Sequence, residues 1–346
     1  MPNTFKVLSI DGGGIRGIIP AMVLARLEKQ TGRPIAEMFD LIAGTSTGGI
    51  LALGLTLPSD DGKPRYAAKD LLELYEKDGS RIFPRSVLRR IPVLHRISVS
   101  HPIRSVRGVA EEKYSSKGVE GVLQQYFEEA RLRDALTRVI VTSYEIQLRQ
   151  PFFFRSEKAR NEADYDYPMR QVARATSAAP TYFEPAKVES EEDPVDYYAL
   201  VDGGVFANNP AMCAYVEAQG ILEDQGSNFP DDIDLLVVSL GTGQLTDHLR
   251  YEKAKGWGLL EWARPLIDVV FDGVSDTVDF QLKTLLPHRD GVKRYYRFQT
   301  ELGDVSDALD NTEPENVRDL KLLARSMIDS EEESLSELYE RLEHNA

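Results

Sequence analysis

Three short glycine-bearing segments carry the residues of this chain best suited to acyl chemistry. Residues 44 to 49 read Gly44-Thr45-Ser46-Thr47-Gly48-Gly49, a G-x-S-x-G match. The apolar run Phe39-Asp40-Leu41-Ile42-Ala43 precedes it, and Ile50-Leu51-Ala52-Leu53-Gly54-Leu55 follows. A serine held between glycines at a strand-to-helix turn reads as a nucleophile elbow. Gly44 and Gly48 are the elbow glycines, needed where strained backbone is crowded by its neighbours. The helix that follows adds partial positive charge near Ser46. The second segment is Asp11-Gly12-Gly13-Gly14-Ile15-Arg16-Gly17, and the third is Asp202-Gly203-Gly204. Nucleophile, anion-stabilising loop and carboxylate together point to acyl-ester hydrolysis.

The glycine loop fits two templates. It is formally G-x-G-x-x-G between a strand and a helix, as in a dinucleotide fold. That fold needs an acid at the end of the second strand, whereas Asp40 opens that strand here. The better reading is an oxyanion hole. Gly12, Gly13 and Gly14 let backbone N–H groups point at a tetrahedral intermediate, and losing one such donor costs ~3 kcal/mol of barrier stabilisation. Arg16 either adds positive charge to that site or braces the loop, and Asp11 caps the loop. The base is an open choice between two designs. A serine triad needs a histidine after the acid, and His248, His288 and His344 are the candidates. None has a glycine-bounded, strand-end context. Asp202 does: Tyr198-Ala199-Leu200-Val201 leads into it and Asn208-Asn209-Pro210 follows. A carboxylate placed there can take the Ser46 proton directly.

These motifs need strands that end in loops and helices that begin at them. The first 57 residues alternate strand, glycine loop, helix, strand, serine turn and helix. Further strands are expected at Arg138 to Tyr144, Phe152 to Arg155 and Leu235 to Leu240. Helices are expected at 68 to 78, 119 to 130, 168 to 176, 210 to 223 and 317 to 343. This alternation predicts an α/β fold, a mostly parallel central sheet with helices on both faces. The segment Ser334-Leu335-Ser336-Glu337 reads as a capping box, splitting the last region into two helices. Residues 79 to 110 stand apart, with seven arginines, two histidines and no Asp or Glu among interleaved apolar residues. Ile91-Pro92 and His101-Pro102 break any continuous helix there. A solvated cap, a lid or a surface for phospholipid headgroups all fit that composition.

Composition narrows the partners. The net charge of −15 disfavours nucleic acid and strong attraction to anionic lipid. One cysteine, Cys213, rules out an internal disulfide framework and sits in an apolar stretch as a buried thiol. No leader pattern is visible and no apolar run approaches the ~18 residues of a membrane span. A cytoplasmic protein in transient contact with membranes is expected.

The three motifs, in this order, resemble the patatin-like phospholipases, which combine D-G-G-G-x-R-G, G-x-S-x-G and D-G-[GA]. The resemblance extends through Ala175-Thr176-Ser177-Ala178-Ala179-Pro180, Leu240-Gly241-Thr242-Gly243 and Gly256-Trp257-Gly258, over roughly residues 5 to 325. It implies a patatin-like three-layer sandwich, with residues 1–346 as one catalytic domain, 79–110 as a lid and 317–346 as a helical extension. It also implies a phospholipase A or galactolipase working without calcium, other metal or cofactor on phospholipid or galactolipid. Ser46 is then the nucleophile, Asp202 the base, and Gly12, Gly13, Gly14 and Arg16 the oxyanion site. Two further readings stay open: a histidine-triad esterase, and a bacterial defence phospholipase switched by a nucleotide signal.

Overall fold

The computed structural model describes residues 4–83, 114–189, 196–227, 234–246, 249–262 and 265–343. Most of the arginine-rich segment lies outside those residues, and so do His248 and His344. The strands are β1 (Thr4–Ile10), β2 (Leu41–Thr45), β3 (Arg138–Glu145), β4 (Gln150–Arg155), β5 (Ala186–Glu189), β6 (Tyr197–Asp202), β7 (Asp234–Leu240) and β8 (Tyr295–Phe298). They form one sheet in the order β5-β6-β3-β2-β1-β7-β8, with β4 paired to β3 off that path. The run from β3 to β8 is parallel, and β4, β5 and β6 form an antiparallel wing.

Both faces of the parallel part are buried, which is why its strands read as nearly unbroken apolar runs. Val7, Leu41, Ala43, Ile140 and Val237 pack on one side. Leu8, Ile10, Ile42, Val141 and Val238 pack on the other. That second side carries α1 (Ile18–Thr31), α2 (Thr47–Thr56), α3 (Ser116–Phe127) and α4 (Met169–Thr176). The opposite side is covered by α5 (Ala211–Asp224) and by Val278 and Leu282 of α6 (Pro265–Leu285). The expected α/β architecture is therefore present.

Strands β5 and β8 and α6, the longest helix described, fall outside the sequence reading. The C-terminal region does divide in two, α7 (Pro314–Ser330) and α8 (Glu332–Glu343). The break lies at Glu331, however, and Ser334 is inside α8 rather than at its cap.

Register brings the loops to one edge. Ile10 of β1 lies opposite Gly44 of β2 and Leu240 of β7, so the three strands finish level. The segments beginning at Asp11, Ser46 and Gly241 leave that carboxyl edge together, where parallel α/β sheets place ligands. The base of the glycine loop is tied across the sheet. Arg297 of β8 donates to both carboxylate oxygens of Asp11, at 3.0 and 2.6 Å, and to Ser239 Oγ at 2.9 Å. Asp11 is buried and Arg297 nearly so. Removing one member of a buried ion pair strands the other charge, at about 3–5 kcal/mol. Arg297→Met is expected to lose stability of that order, read as a lower denaturant midpoint with an unchanged slope.

Candidate active site

Ser46 and Asp202 meet because of how β3 shares its edges. Residues 140–145 of β3 pair with β4 along one edge. Along the other edge, β2 pairs with residues 138–142 and ends with Thr45 opposite Thr142. From the next residue, β6 takes over in the opposite direction and ends with Asp202 opposite Ser143. The two strands thus run head to head along one edge of β3. Ser46 follows the last residue of β2, so it faces the last residue of β6.

Ser46 holds the turn in a backbone shape rarely taken by a side-chain-bearing residue, with φ 54° and ψ −123°. Strain of this kind persists only where surroundings over-determine it. Its N–H donates to Thr176 Oγ1 at 2.8 Å, and that hydroxyl donates to Thr142 O at 2.7 Å. A Cβ on Gly48 would lie 2.1 Å from Ile10 O, and one on Gly44 would lie 2.3 Å from Gly48 O. The elbow therefore closes only with glycine at both positions. Beyond it, Thr47 and Tyr75 share a 2.5 Å hydroxyl contact.

Asp202 is fully buried. Its Oδ1 accepts from the Gly204 amide at 2.8 Å, and Oδ2 has no partner of regular hydrogen-bond geometry. Burial pushes its pKa up to about 7, against the opposing pull of the Ser46 hydroxyl and the Gly204 amide. The Ser46 contact is thus felt by the carboxylate while falling short of a regular bond. A carboxyl group titrating near neutrality beside a serine hydroxyl can take and return a proton.

The glycine loop divides its tasks. The Gly12 N–H donates to Asn208 O at 3.0 Å, so Gly12 is not the free donor expected of it. What Gly12 supplies is clearance: a Cβ there would lie 2.4 Å from Asn208 Oδ1 and 3.2 Å from Ser46 Cβ. The amides of Gly13 and Gly14 donate to no acceptor among the described residues. Gly14 has φ 56°, in the left-handed region that favours glycine. Thr242 Oγ1 donates to Gly12 O at 2.6 Å from the far side. Arg16 is buried with Nε and Nη1 unpartnered, and burial lowers its pKa against the opposing charges of Asp272, Asp268 and Asp307. It does not line the pocket at Ser46.

That pocket is apolar. Ser46, Asp202, Gly13 and Gly14 stand at one part of it; Ile50, Ile82, Phe83, Val119, Phe183 and Phe271 make its walls. His288 lies elsewhere, in a polar groove with Lys283, Tyr295 and Arg297. Thr176, Asn208 and Arg297 are the supporting residues for which sequence reasoning found no role. Thr176 and Asn208 lie in quoted motifs, but nothing in the sequence around Arg297 signals its partner.

Residues 8–215 match the family model described as patatin-like phospholipase. The chain is 34% identical to Patatin-like protein 2 of Arabidopsis thaliana, over 94% of this chain and 82% of that protein. It is 33% identical to Patatin-like protein 2 of Oryza sativa subsp. indica, over 93% and 83%. It is also 33% identical to a Solanum tuberosum protein named probable inactive patatin-3-Kuras 1, over 85% and 78%.

Burial of Asp202 makes a stability prediction with a definite sign. Its carboxyl titrates near 3.8 when unperturbed and about 7 in the fold. The folded chain therefore holds this proton more tightly. The resulting stabilisation is complete below pH ~4 and lost as pH rises through ~7. Asp202→Asn should be more stable than wild type at pH 8, with the gap closing towards pH 4. At about 1.4 kcal/mol per unit, the gap is on the order of 4 kcal/mol. Unfolding midpoints measured at both pH values check it, and a pH-independent gap counts against the shift.

Proposed function

The chain belongs to the patatin-like phospholipase family, and from that premise we propose that Ser46 and Asp202 form a catalytic dyad hydrolysing fatty-acyl esters of phospholipids and galactolipids. One observation carries the reading. The carboxylate facing the strained serine is buried, titrates near neutrality and keeps one oxygen without a regular partner. The only histidine among the described residues, His288, lines a different groove.

The reaction runs as two acyl transfers. Asp202 takes the proton of Ser46 Oγ as that oxygen bonds to the ester carbonyl carbon. The carbonyl oxygen becomes an oxyanion, held by the Gly13 and Gly14 amides. Collapse breaks the ester C–O bond, and Asp202 gives its proton to the departing alcohol oxygen of the lysolipid. Water then loses a proton to Asp202 and attacks the acyl-serine. The second collapse releases the fatty acid and returns the proton to Ser46 Oγ. Gly12 keeps the loop close to Ser46, and Arg16 contributes positive charge from behind it. The apolar walls accommodate the acyl chain, whose burial is favourable at roughly 0.8 kcal/mol per CH₂. The protons shuttle between protein, water and lipid, with no metal required.

The test is fatty-acid release from phosphatidylcholine and galactolipid vesicles with chelator present. Wild type should be active. Ser46→Ala and Asp202→Asn should both lose activity by about 10³-fold or more while remaining folded. His248→Ala and His288→Ala should retain activity; loss in either would favour a histidine triad instead.

The pH profile provides a separate check. Asp202 must be ionised to act, and its carboxyl titrates at about 7. kcat/KM should therefore fall about tenfold per unit as pH drops below ~7. A flat profile down to pH ~4 would exclude Asp202 as the base.

A further inference from the structure

Tyr75 holds a junction that takes no part in the acyl-transfer steps themselves. It lines the catalytic pocket together with Thr47, and both residues are buried. Thr47 follows Ser46 and is the first residue of α2. The two hydroxyls lie 2.5 Å apart, and the Tyr75 hydroxyl donates to the Thr47 carbonyl at 3.3 Å. A phenol has one proton to give. Thr47 Oγ1 therefore donates to Tyr75 Oη, and Tyr75 donates onward to Thr47 O. Burial pushes the Tyr75 pKa up, so the phenol stays protonated. It serves as a fixed donor and acceptor, not as a base.

A third segment meets this pair. Gly17 ends the short 3₁₀ helix of the glycine loop, Gly14–Gly17. A Cβ on Gly17 would lie 2.3 Å from Thr47 Oγ1 and 2.9 Å from Tyr75 Oη. The Arg16 amide donates to Gly13 O at 3.1 Å, which makes Gly13 and Gly17 parts of one tight turn. Elbow, glycine loop and pocket wall thus touch at the Thr47–Tyr75 pair. The chain around Tyr75 is itself irregular. Leu74–Asp78 is a π-helical turn between two short helical pieces, Ala68–Glu73 and Gly79–Ile82. Such turns are rare and frequently sit at functional sites.

We propose that Tyr75 is a positioning residue for acyl transfer: acting through Thr47 and Gly17, its hydroxyl sets the spacing between Ser46 Oγ and the Gly13 and Gly14 amides. The inference rests on the dyad-hydrolase reading. Amide donors stabilise an oxyanion only at the place where it forms, and a misplacement of about 1 Å can cost about 10²-fold in rate. The nucleophile and the two amides belong to different segments, and the Gly13 and Gly14 amides have no acceptor of their own among the described residues. Their distance from Ser46 is fixed by what packs between the segments. On one flank that is Gly12, within contact of Ser46 Cβ; on the other it is Gly17 against the paired hydroxyls.

Tyr75→Phe keeps the ring in the pocket and removes only the hydroxyl. With the soluble ester p-nitrophenyl butyrate, kcat should fall about tenfold or more while KM stays near that of wild type. Thr47→Val should lose about as much, and the double variant no more than either single one, since both remove the same contact. Thr47→Ser, which keeps a hydroxyl, should recover most of the Thr47→Val loss. An alkyl trifluoromethyl ketone, which Ser46 attacks to form a tetrahedral oxyanion, reads the geometry itself. Its affinity should fall across the series in proportion to kcat/KM. A Tyr75→Phe enzyme as active as wild type overturns the proposal. So do losses that multiply in the double variant, or ketone affinity that holds while kcat/KM falls. A loss confined to p-nitrophenyl palmitate also overturns it, because Tyr75 would then act in acyl binding. If wild type cleaves neither ester, the hydrolase reading fails and this inference with it; an active wild type beside an indifferent Tyr75→Phe fails this inference alone.

Discussion

One edge of β3 governs the site. It is shared by two strands that run towards each other, β2 ending opposite Thr142 and β6 ending opposite Ser143. Backbone hydrogen bonding in a sheet permits one partner per edge at each position. Where β2 stops, β6 can begin, and both chain ends must turn away at the same place. The residues at those ends, Ser46 and Asp202, are brought together by ladder geometry rather than by attraction between their side chains. The antiparallel wing is therefore not an accessory to the parallel sheet. Without the reversal of β6, its terminal carboxylate would point to the far edge.

The same crowding sets the chemistry. Asp202 is enclosed because strand ends, the Gly203-Gly204 turn and the elbow converge on it. Enclosure removes water, and desolvation raises the pKa to about 7. In the proposed dyad a carboxylate at its ordinary pKa would be a poor base for a hydroxyl, whereas Asp202 titrates near neutrality. The ionised form is in turn less stable in the fold, so the proposed dyad sets stability and reactivity against each other at one residue. Thr176 holds the elbow by its amide, and Arg297 anchors the glycine loop through Asp11. Thr176 acts on the Ser46 backbone and Arg297 on the Asp11 side chain, so neither occupies the Ser46 hydroxyl or the Asp202 carboxylate.

Much of the fold was legible because its strongest signals are local. β1, β2, β3 and β7 are buried on both faces, and their apolar runs stand out against glycine turns. α6 was not legible for the opposite reason. Its apolar residues lie on two sides, Phe271, Val278 and Leu282 inward and Leu266, Val269 and Phe280 outward, which blurs a single-stripe pattern. β8 is only four residues long and contains Arg297, whose charge argues against a buried strand until Asp11 is seen opposite it.

The sequence by itself determined which residues could react. Ser46 between Gly44 and Gly48, the glycine run at 12 to 14 and Asp202 before Gly203 are each recognisable because tight turns restrict residue type locally. Tertiary structure alone decided which of their groups are left free. Gly12 is occupied by Asn208, Gly13 and Gly14 are not, and Arg16 sits behind the loop rather than in the pocket. It also decided the pKa of Asp202. Those outcomes depend on contacts between segments far apart in the chain, and neither residue type nor local spacing encodes which carbonyl a given amide will meet.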